Sequence, residues 1–281
     1  QGSLSNSSPV PGKDWSMKLK IQRPVAFVPT MGALHAGHQS LVKIAKSYVD
    51  EVVVSIFINP LQFESPDDFS NYPKTFADDS KLAQESGATF VWAPTLDEIY
   101  PTEPQIISAG EIGKLFEGVH RFGHFDGVLT VVKRLFDLVE PTHAIFGEKD
   151  FQQLFLIKEM VAKLELPIKI IAAPTIREAS GLAMSSRNSH LESLELERAS
   201  GIYKALVSAA SKPDIEQRRE LLTAELTAIP DFLLDYAEII DEDNFQIADS
   251  RTLKARAVVA GWINGVRLID NMAMSHPRNS K

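Results

Sequence analysis

The chain has 281 residues, with 29 Lys and Arg against 37 Asp and Glu, a formal net charge of −8, 44% hydrophobic residues and no cysteine. These totals suit one large or two modest domains with real cores. They exclude a disulfide framework and a Cys-ligated zinc site, and argue against a broad nucleic-acid surface, which needs a basic face.

The first 20 residues, with the Ser/Pro/Gly-rich start QGSLSNSSPVPGKD, lack the apolar stretch of a signal peptide and read as a disordered extension or an expression remnant. No run of 18 apolar residues reads as a membrane span; a cytoplasmic protein with no membrane or nucleic-acid partner is expected. From residue 24 short apolar runs alternate with helical patterns. PVAFVP (24–29) reads as a buried strand, and AGHQSLVKIAKSYV as a helix through Leu41, Val42, Ile44, Ala45, Tyr48 and Val49. EVVVSIFI (51–58) is a second strand. A looser polar stretch follows, with a helix near 76–86 that Gly87 stops. ATFVWAP (88–94), THAIFG (142–147) and IKIIAAP (168–174) read as further strands, DGVLTVVKRLFDLV (126–139) and FQQLFLIKEMVAKL (151–164) as helices. Near-continuous apolar strands alternating with helices imply an α/β fold: a doubly wound, Rossmann-like parallel sheet over residues 21–175. Residues 176–281 differ. Helices at 192–210 and about 214–228 precede strands at 232–241, 255–263 and 266–272, the last two joined by the hairpin signal Asn264-Gly265. That order implies a smaller C-terminal α+β domain.

In open parallel sheets ligands bind beyond the carboxyl ends of the strands, where the strand order reverses. Four polar motifs follow strands and converge there: PTMGALHAGH (29–38), NPLQF (59–63), GEKDFQQ (147–153) and REASGLAMSSRN (177–188). His35 and His38 sit at a strand-to-helix turn, where helix-start N–H groups favour anions, and Gly32 and Gly37 permit close backbone approach. The two rings can equally cap or pack at the helix start, and a metal reading lacks a third ligand. Lys149 suits a phosphate and Asp150 a helix cap, although GEKD also reads as a solvated turn. Arg187 suits phosphate recognition, with Ser185 and Ser186 beside it, or the segment is a capped polar loop. Asn59, Gln62 and Gln153 are neutral amides, suited to a small polar acid. Asp78 and Asp79 read as Mg²⁺ candidates or as complements to a helix dipole. EGVHRFGHFDG (117–127), with His120, Arg121, His124 and Asp126, reads as a lid or entrance loop.

Taken in order, PTMGALHAGHQSLV, VSIFINPLQF, FGEKDFQQL, PTIREASGLAMSSRN and DYAEIID resemble the pantoate–β-alanine ligase family of HxGH nucleotidyltransferases, over nearly the whole chain after residue 20. The resemblance implies a two-step reaction. ATP and (R)-pantoate give pantoyl adenylate and diphosphate, and β-alanine then gives pantothenate and AMP. It further implies Mg²⁺ and a homodimer, with the C-terminal domain closing over the ATP site. Carried over by residue, the ATP strip runs from Pro29 and Thr30 through Met31, Gly32, Ala33, Leu34, His35, Ala36 and Gly37 to His38, the expected proton donor. Gly147, Glu148, Lys149 and Asp150, Ile176, and Met184 with Ser185, Ser186 and Arg187 complete it. His35, His38, Lys149, Ser185, Ser186 and Arg187 are the groups expected to act on the reacting phosphate. Gln62 and Gln153 match the pantoate glutamines, with Gln62 also near β-alanine, and Asn59 joins them as a substrate contact. Phe151 stands where the family often has Tyr. Another HxGH small-molecule nucleotidyltransferase is the rival reading; it would want more basic contacts in the second substrate pocket.

Overall fold

Apolar strands buried on both faces organise the first half of the computed structural model, which describes residues 23–63 and 66–274. β1 (Val25–Thr30), β2 (Glu51–Ile56), β3 (Phe90–Trp92), β4 (His143–Gly147) and β5 (Lys169–Ala173) form one sheet in the order β3-β2-β1-β4-β5. Every pairing in it is parallel. Successive residues of a strand face opposite sides, and β1 divides accordingly. Val25 and Phe27 join Leu129, Phe136, Leu154 and Ile157 in one core, whereas Ala26 and Val28 join Val42, Ala45 and Ala83 in another. The first core belongs to α6 (His124–Val139) and α7 (Phe151–Lys163), the second to α1 (Ala36–Tyr48) and α3 (Phe76–Glu85). Short helices α2 (Pro66–Asn71), α4 (Leu96–Ile99) and α5 (Glu117–His120) interrupt the connections.

The later residues build a separate core. Helices α8 (Ser193–Ala210) and α9 (Ile215–Thr227) pack Leu206, Leu222 and Leu226 against Ile239 and Val259. Those last two come from an antiparallel sheet of β6 (Leu233–Asp241), β7 (Ala255–Ile263) and β8 (Val266–Ala273). Asn264 and Gly265 take φ of +47° and +75°, the left-handed pair that a two-residue hairpin needs. Among the described residues no helix is long and apolar enough to cross a membrane.

Among the element boundaries that differ from expectation, two have a clear local cause. The strand expected over 88–94 is confined to Phe90–Trp92, because Ala88 closes α3, its N–H reaching the Ala83 carbonyl around Gly87 at φ +112°. At its other end Thr95 caps α4, accepting from the Glu98 N–H. The helix expected from 126 begins at His124, after Gly123 in the left-handed region. The expected N-terminal extension, residues 1–20, lies outside the described residues.

One contact in the first domain bears directly on the rim. Asn59 caps the single turn Pro60–Gln62, accepting from Leu61 N–H, and donates to the Gly127 carbonyl on α6 at 3.1 Å. A Cβ at Gly127 would fall 2.2 Å from the Leu61 oxygen. Gly127→Ala is therefore expected to lower stability by about 1–3 kcal/mol, overpacking outweighing the gain in helix propensity. Urea unfolding checks this; an unchanged midpoint would show that the turn yields freely.

Candidate active site

The strand order reverses beside β1, and the rim motifs meet there. After Thr30 the chain turns through Gly32 and Ala33, at φ +89° and +51°. The turn is held from α3. The Asp79 carboxylate accepts the Ala33 and Leu34 N–H groups at 3.0 and 2.7 Å and the Thr75 hydroxyl at 3.0 Å. Asp79 is thereby committed to the loop, and Asp78 is exposed in the first turn of α3, where it complements the helix dipole. Of the two readings of this pair, the Mg²⁺ candidacy is therefore set aside: Asp78 fits the helix-dipole reading and Asp79 supports the loop. Among the described residues no group of three His, Cys, Asp or Glu side chains is arranged to hold one.

His35 and His38 cap α1 reciprocally. His35 Nδ1 accepts the Gly37 N–H at 3.1 Å, and His38 Nδ1 accepts the His35 N–H at 3.3 Å. The rings lie 4.2 Å apart, centroid to centroid. Burial, with Lys149 next, lowers the His35 pKa; burial, with His35 next, pushes His38 down to about 3. Both rings are thus neutral at pH 7. A neutral imidazole whose Nδ1 accepts carries its proton on Nε2. Capping and ligand binding are then compatible, since Nδ1 serves the helix and leaves Nε2–H to donate.

A cavity of about 240 Å³ opens at this point. Met31, His35, His38, Gln62, Lys149, Asp150, Gln153, Ile176 and Met184 to Arg187 line it, with Pro29, Thr30, Gly37 and Gly147. It adjoins a hollow of about 440 Å³ reaching the β7–β8 hairpin. The sequence-predicted residues off its wall have other tasks. Gly32, Ala33 and Leu34 form the held turn, and Ala36 is the exposed first residue of α1. Glu148 lies 3.8 Å from Arg256. Asn59 departs most from expectation. Its amide gives both donors to Gln62 Oε1 and the Gly127 carbonyl, and its oxygen accepts from Leu61 N–H and the Tyr100 hydroxyl. With no capacity left for a substrate, Asn59 orients Gln62 from behind. Gln62 Nε2 also touches Met31 Sδ at 2.9 Å, whereas the Gln153 side chain makes no hydrogen bond among the described residues.

Three cations crowd one carboxylate. Burial alone would raise the Asp150 pKa, but Lys149, Arg187 and Arg121 outweigh it and hold the carboxyl below its usual value. In a chain of net charge −8 this local surplus is the anion-receptive feature the composition required. Sequence reasoning left Arg121 and His124 undecided and missed Tyr72. Arg121 Nη1 donates to His124 Nε2 at 3.0 Å, so His124 donates from Nδ1 to the Gln62 carbonyl at 2.8 Å. Burial, and then Arg121, push His124 down to about 3. Tyr72 faces Ser186 and Arg187 on the cavity wall, and burial raises its pKa. A lone Tyr in a polar stretch carries no periodic signal that could have found it. The 117–127 segment is no free loop: the Gln152 amide joins the Ile112 and Leu115 carbonyls to the Glu117 N–H.

Fold and rim together define a doubly wound α/β enzyme domain with an anion-receptive site at its switch point. A sequence model described as Pantoate-beta-alanine ligase matches residues 10–273. A pantothenate synthetase of Acidothermus cellulolyticus is 48% identical over 265 residues, covering 89% of this chain and 86% of that protein. A crystal structure of the pantothenate synthetase from Thermus thermophilus superposes with a TM-score of 0.88 at 38% identity, covering 93% of this chain and 97% of that one. The Francisella tularensis pantoate-beta-alanine ligase, complexed with beta-gamma ATP and beta-alanine, superposes at 0.74 with 36% identity, covering 94% and 95%. The chain belongs to the pantoate–β-alanine ligase family, and it is a ligase of pantothenate synthesis.

A Cβ at Gly37 would lie 2.7 Å from His35 Cε1 and 2.9 Å from Nδ1. Because alanine favours a helix over glycine by about 1 kcal/mol and the lost His35 cap costs about as much, Gly37→Ala is expected to leave the melting temperature near the parent's while displacing His35 and cutting turnover. Parallel calorimetry and product assay check the two; retained turnover would show that His35 is a cap alone. A pH dependence also follows. His38 and His124 fold with pKa about 3 against an unfolded 6.5, so the unfolded state binds more protons between these values. Stability from both is present above 6.5 and lost as pH falls towards 3. Urea titrations at pH 7 and at about pH 4.5 are expected to show a smaller loss for His124→Gln than for the parent; equal losses would contradict the buried neutral ring.

Proposed function

We propose that the chain joins (R)-pantoate to β-alanine in this cleft through an enzyme-bound pantoyl adenylate, consuming ATP to AMP and diphosphate, as a cytoplasmic homodimer. The observation that carries the reading is the meeting, at one switch point, of two Nε2–H donors, a helix N-terminus, Lys149 and Arg187 with the unengaged Gln153 amide. The ATP and beta-alanine in the Francisella complex support it.

In the first step a pantoate carboxylate oxygen bonds to the α-phosphorus of ATP. The bond from that phosphorus to the bridging oxygen breaks, and diphosphate leaves with the electron pair. Negative charge grows on the α- and β-phosphate oxygens, where Lys149, Arg187 and the start of α1 stabilise it. His38 offers its Nε2–H to those oxygens, its ring held neutral by burial before ATP enters. Ser185 accepts the Arg187 N–H and so shapes the strip carrying that arginine, while Ser186 faces Tyr72. Gln62 and Gln153 offer amides to the pantoate hydroxyls and carboxylate without charge repulsion. In the second step β-alanine first loses one ammonium proton to water. Its amine then bonds to the acyl carbon, the bond from that carbon to the phosphate oxygen breaks, and AMP leaves with the electron pair. The second amine proton passes to the AMP phosphate or to water.

Mg²⁺ would arrive as part of the substrate, on the phosphates of ATP. It normally keeps several waters and binds through one or two carboxylates and the substrate's phosphates. The described residues fit that mode and not a protein cage: Asp150, ionised and on the cavity wall, is the carboxylate in reach.

Diphosphate release from ATP is expected only with pantoate present, and rapid AMP formation only once β-alanine is added. Absence of pantoate-dependent diphosphate release would sink the proposal. His38→Ala and Lys149→Ala are each expected to lower turnover by about 10²–10³-fold, the loss typical of a charge-stabilising donor. Their melting temperatures should stay close to the parent's; equal loss of activity and stability would favour a purely structural role.

A further inference from the structure

We propose that Asp270 and Asn271, consecutive residues of β8, are positioning residues that hold the two nucleotide strips of the cleft in register; the proposal rests on the ATP-binding reading above. Both are almost fully buried, at 5% and 4% exposure, in the strand VRLIDNMA. A buried carboxylate or amide is costly unless its polar atoms are partnered, and the partners of this pair lie on the strips themselves.

Asn271 reaches the strip after β4. Its Nδ2 donates to the Glu148 carbonyl at 2.8 Å and the Lys149 carbonyl at 2.9 Å, using both amide hydrogens. Its Oδ1 accepts from Arg256 Nη1 at 2.7 Å, which fixes the amide orientation. Arg256 is itself held, stacked 4.1 Å from the Phe151 ring centre and bonded through Nε to Glu242 at 2.7 Å. Phe151 thus makes a stacking contact that requires no hydroxyl.

Asp270 reaches the other strip. It binds Arg177 through both oxygens, at 2.6 and 2.9 Å, and its Oδ1 also accepts the Asn271 N–H at 2.7 Å. Arg177 donates to the Gly181 carbonyl at 3.1 Å and lies 4.3 Å from the Tyr203 ring centre. It thereby braces a tight hairpin in which Met184 N–H bonds the Ile176 carbonyl and Glu178 N–H bonds that of Leu182. That hairpin delivers Met184 to Arg187 to the cavity wall. The adjacent anchors therefore set the distance between the Lys149 backbone and the segment carrying Arg187.

A simple bolt between domains would act differently. Glu117 makes such a bolt, meeting Tyr236 at 3.0 Å and Arg267, but it grips α5 and neither nucleotide strip. The test compares the two contacts by steady-state kinetics and calorimetry. Asn271→Leu removes both donors while keeping the branched shape of the side chain, with bulkier ends. Asn271→Asp keeps the acceptor for Arg256 and sets a carboxylate oxygen against two carbonyls, so it covers the case in which the leucine variant fails to fold. Each is expected to raise the KM for ATP by about tenfold or more, as loss of buried hydrogen bonds to a positioned backbone implies. The KM for pantoate should change by less than about twofold, and Tyr236→Phe should leave the KM for ATP within that range while lowering the melting temperature. Wild-type KM for ATP in both Asn271 variants overturns the positioning role, as does an equal rise in every constant in the Asn271 and Tyr236 variants. A parent enzyme that releases no diphosphate from ATP overturns the ATP reading itself, before any variant is compared.

Discussion

β1 pairs in parallel with strands on both sides, β2 on one and β4 on the other, and that shared pairing creates the crevice on which the site depends. The helix after β1 packs on one face of the sheet and the helix after β4 on the other. Their first turns part above the neighbouring strand ends and leave room between them. Both starts turn the positive end of their helix dipole towards the rim. An acidic chain thereby gains a region receptive to anions without a basic surface. Lys149 and Arg187 strengthen it from different segments, and their charge holds the Asp150 carboxyl below its usual value.

Within the crevice the histidines resolve two needs with one arrangement. A helix start must satisfy its first N–H groups, commonly through a Ser, Thr, Asp or Asn oxygen. Here imidazole Nδ1 atoms take that role, which fixes the tautomer and leaves Nε2–H for a ligand. His124 shows the opposite choice. Arg121 donates to its Nε2, so Nδ1–H donates to the Gln62 carbonyl. In each case burial keeps the ring neutral and the neighbouring hydrogen bond selects the proton's position.

The sheet and its order of elements were legible because their signals are local and periodic. Buried strands read as apolar runs, α1 as a helical stripe, and Asn264-Gly265 as a left-handed turn pair. The four rim motifs were legible for a related reason, since each follows a strand end that a parallel sheet must bring to one side. Direction was not legible. Asn59 and Gln62 share one motif and one amide chemistry, yet Asn59 turns inward to Gly127 and Tyr100 while Gln62 lines the cavity. Likewise Asp78 and Asp79 are neighbours, and only helical phase sends Asp79 to the Ala33–Leu34 backbone. Tyr72 and Asn271 depend on tertiary pairings that no local pattern encodes.

These less legible residues share a physical role. Asp79 stands behind the histidine turn, Asn59 behind Gln62, and Asn271 behind the Lys149 backbone. Each is a buried polar group whose donors or acceptors are engaged by main chain or by another side chain. Because an unpaired buried group costs about 1–3 kcal/mol, such a residue strongly favours one geometry and transmits it to the group it supports. Groups that meet substrate need spare hydrogen-bonding capacity, as the Gln153 amide has; groups that position them must have none left. In this chain the difference in saturation sets the unengaged Gln153 amide on the cavity wall apart from the engaged Asn59 and Asn271 amides behind it.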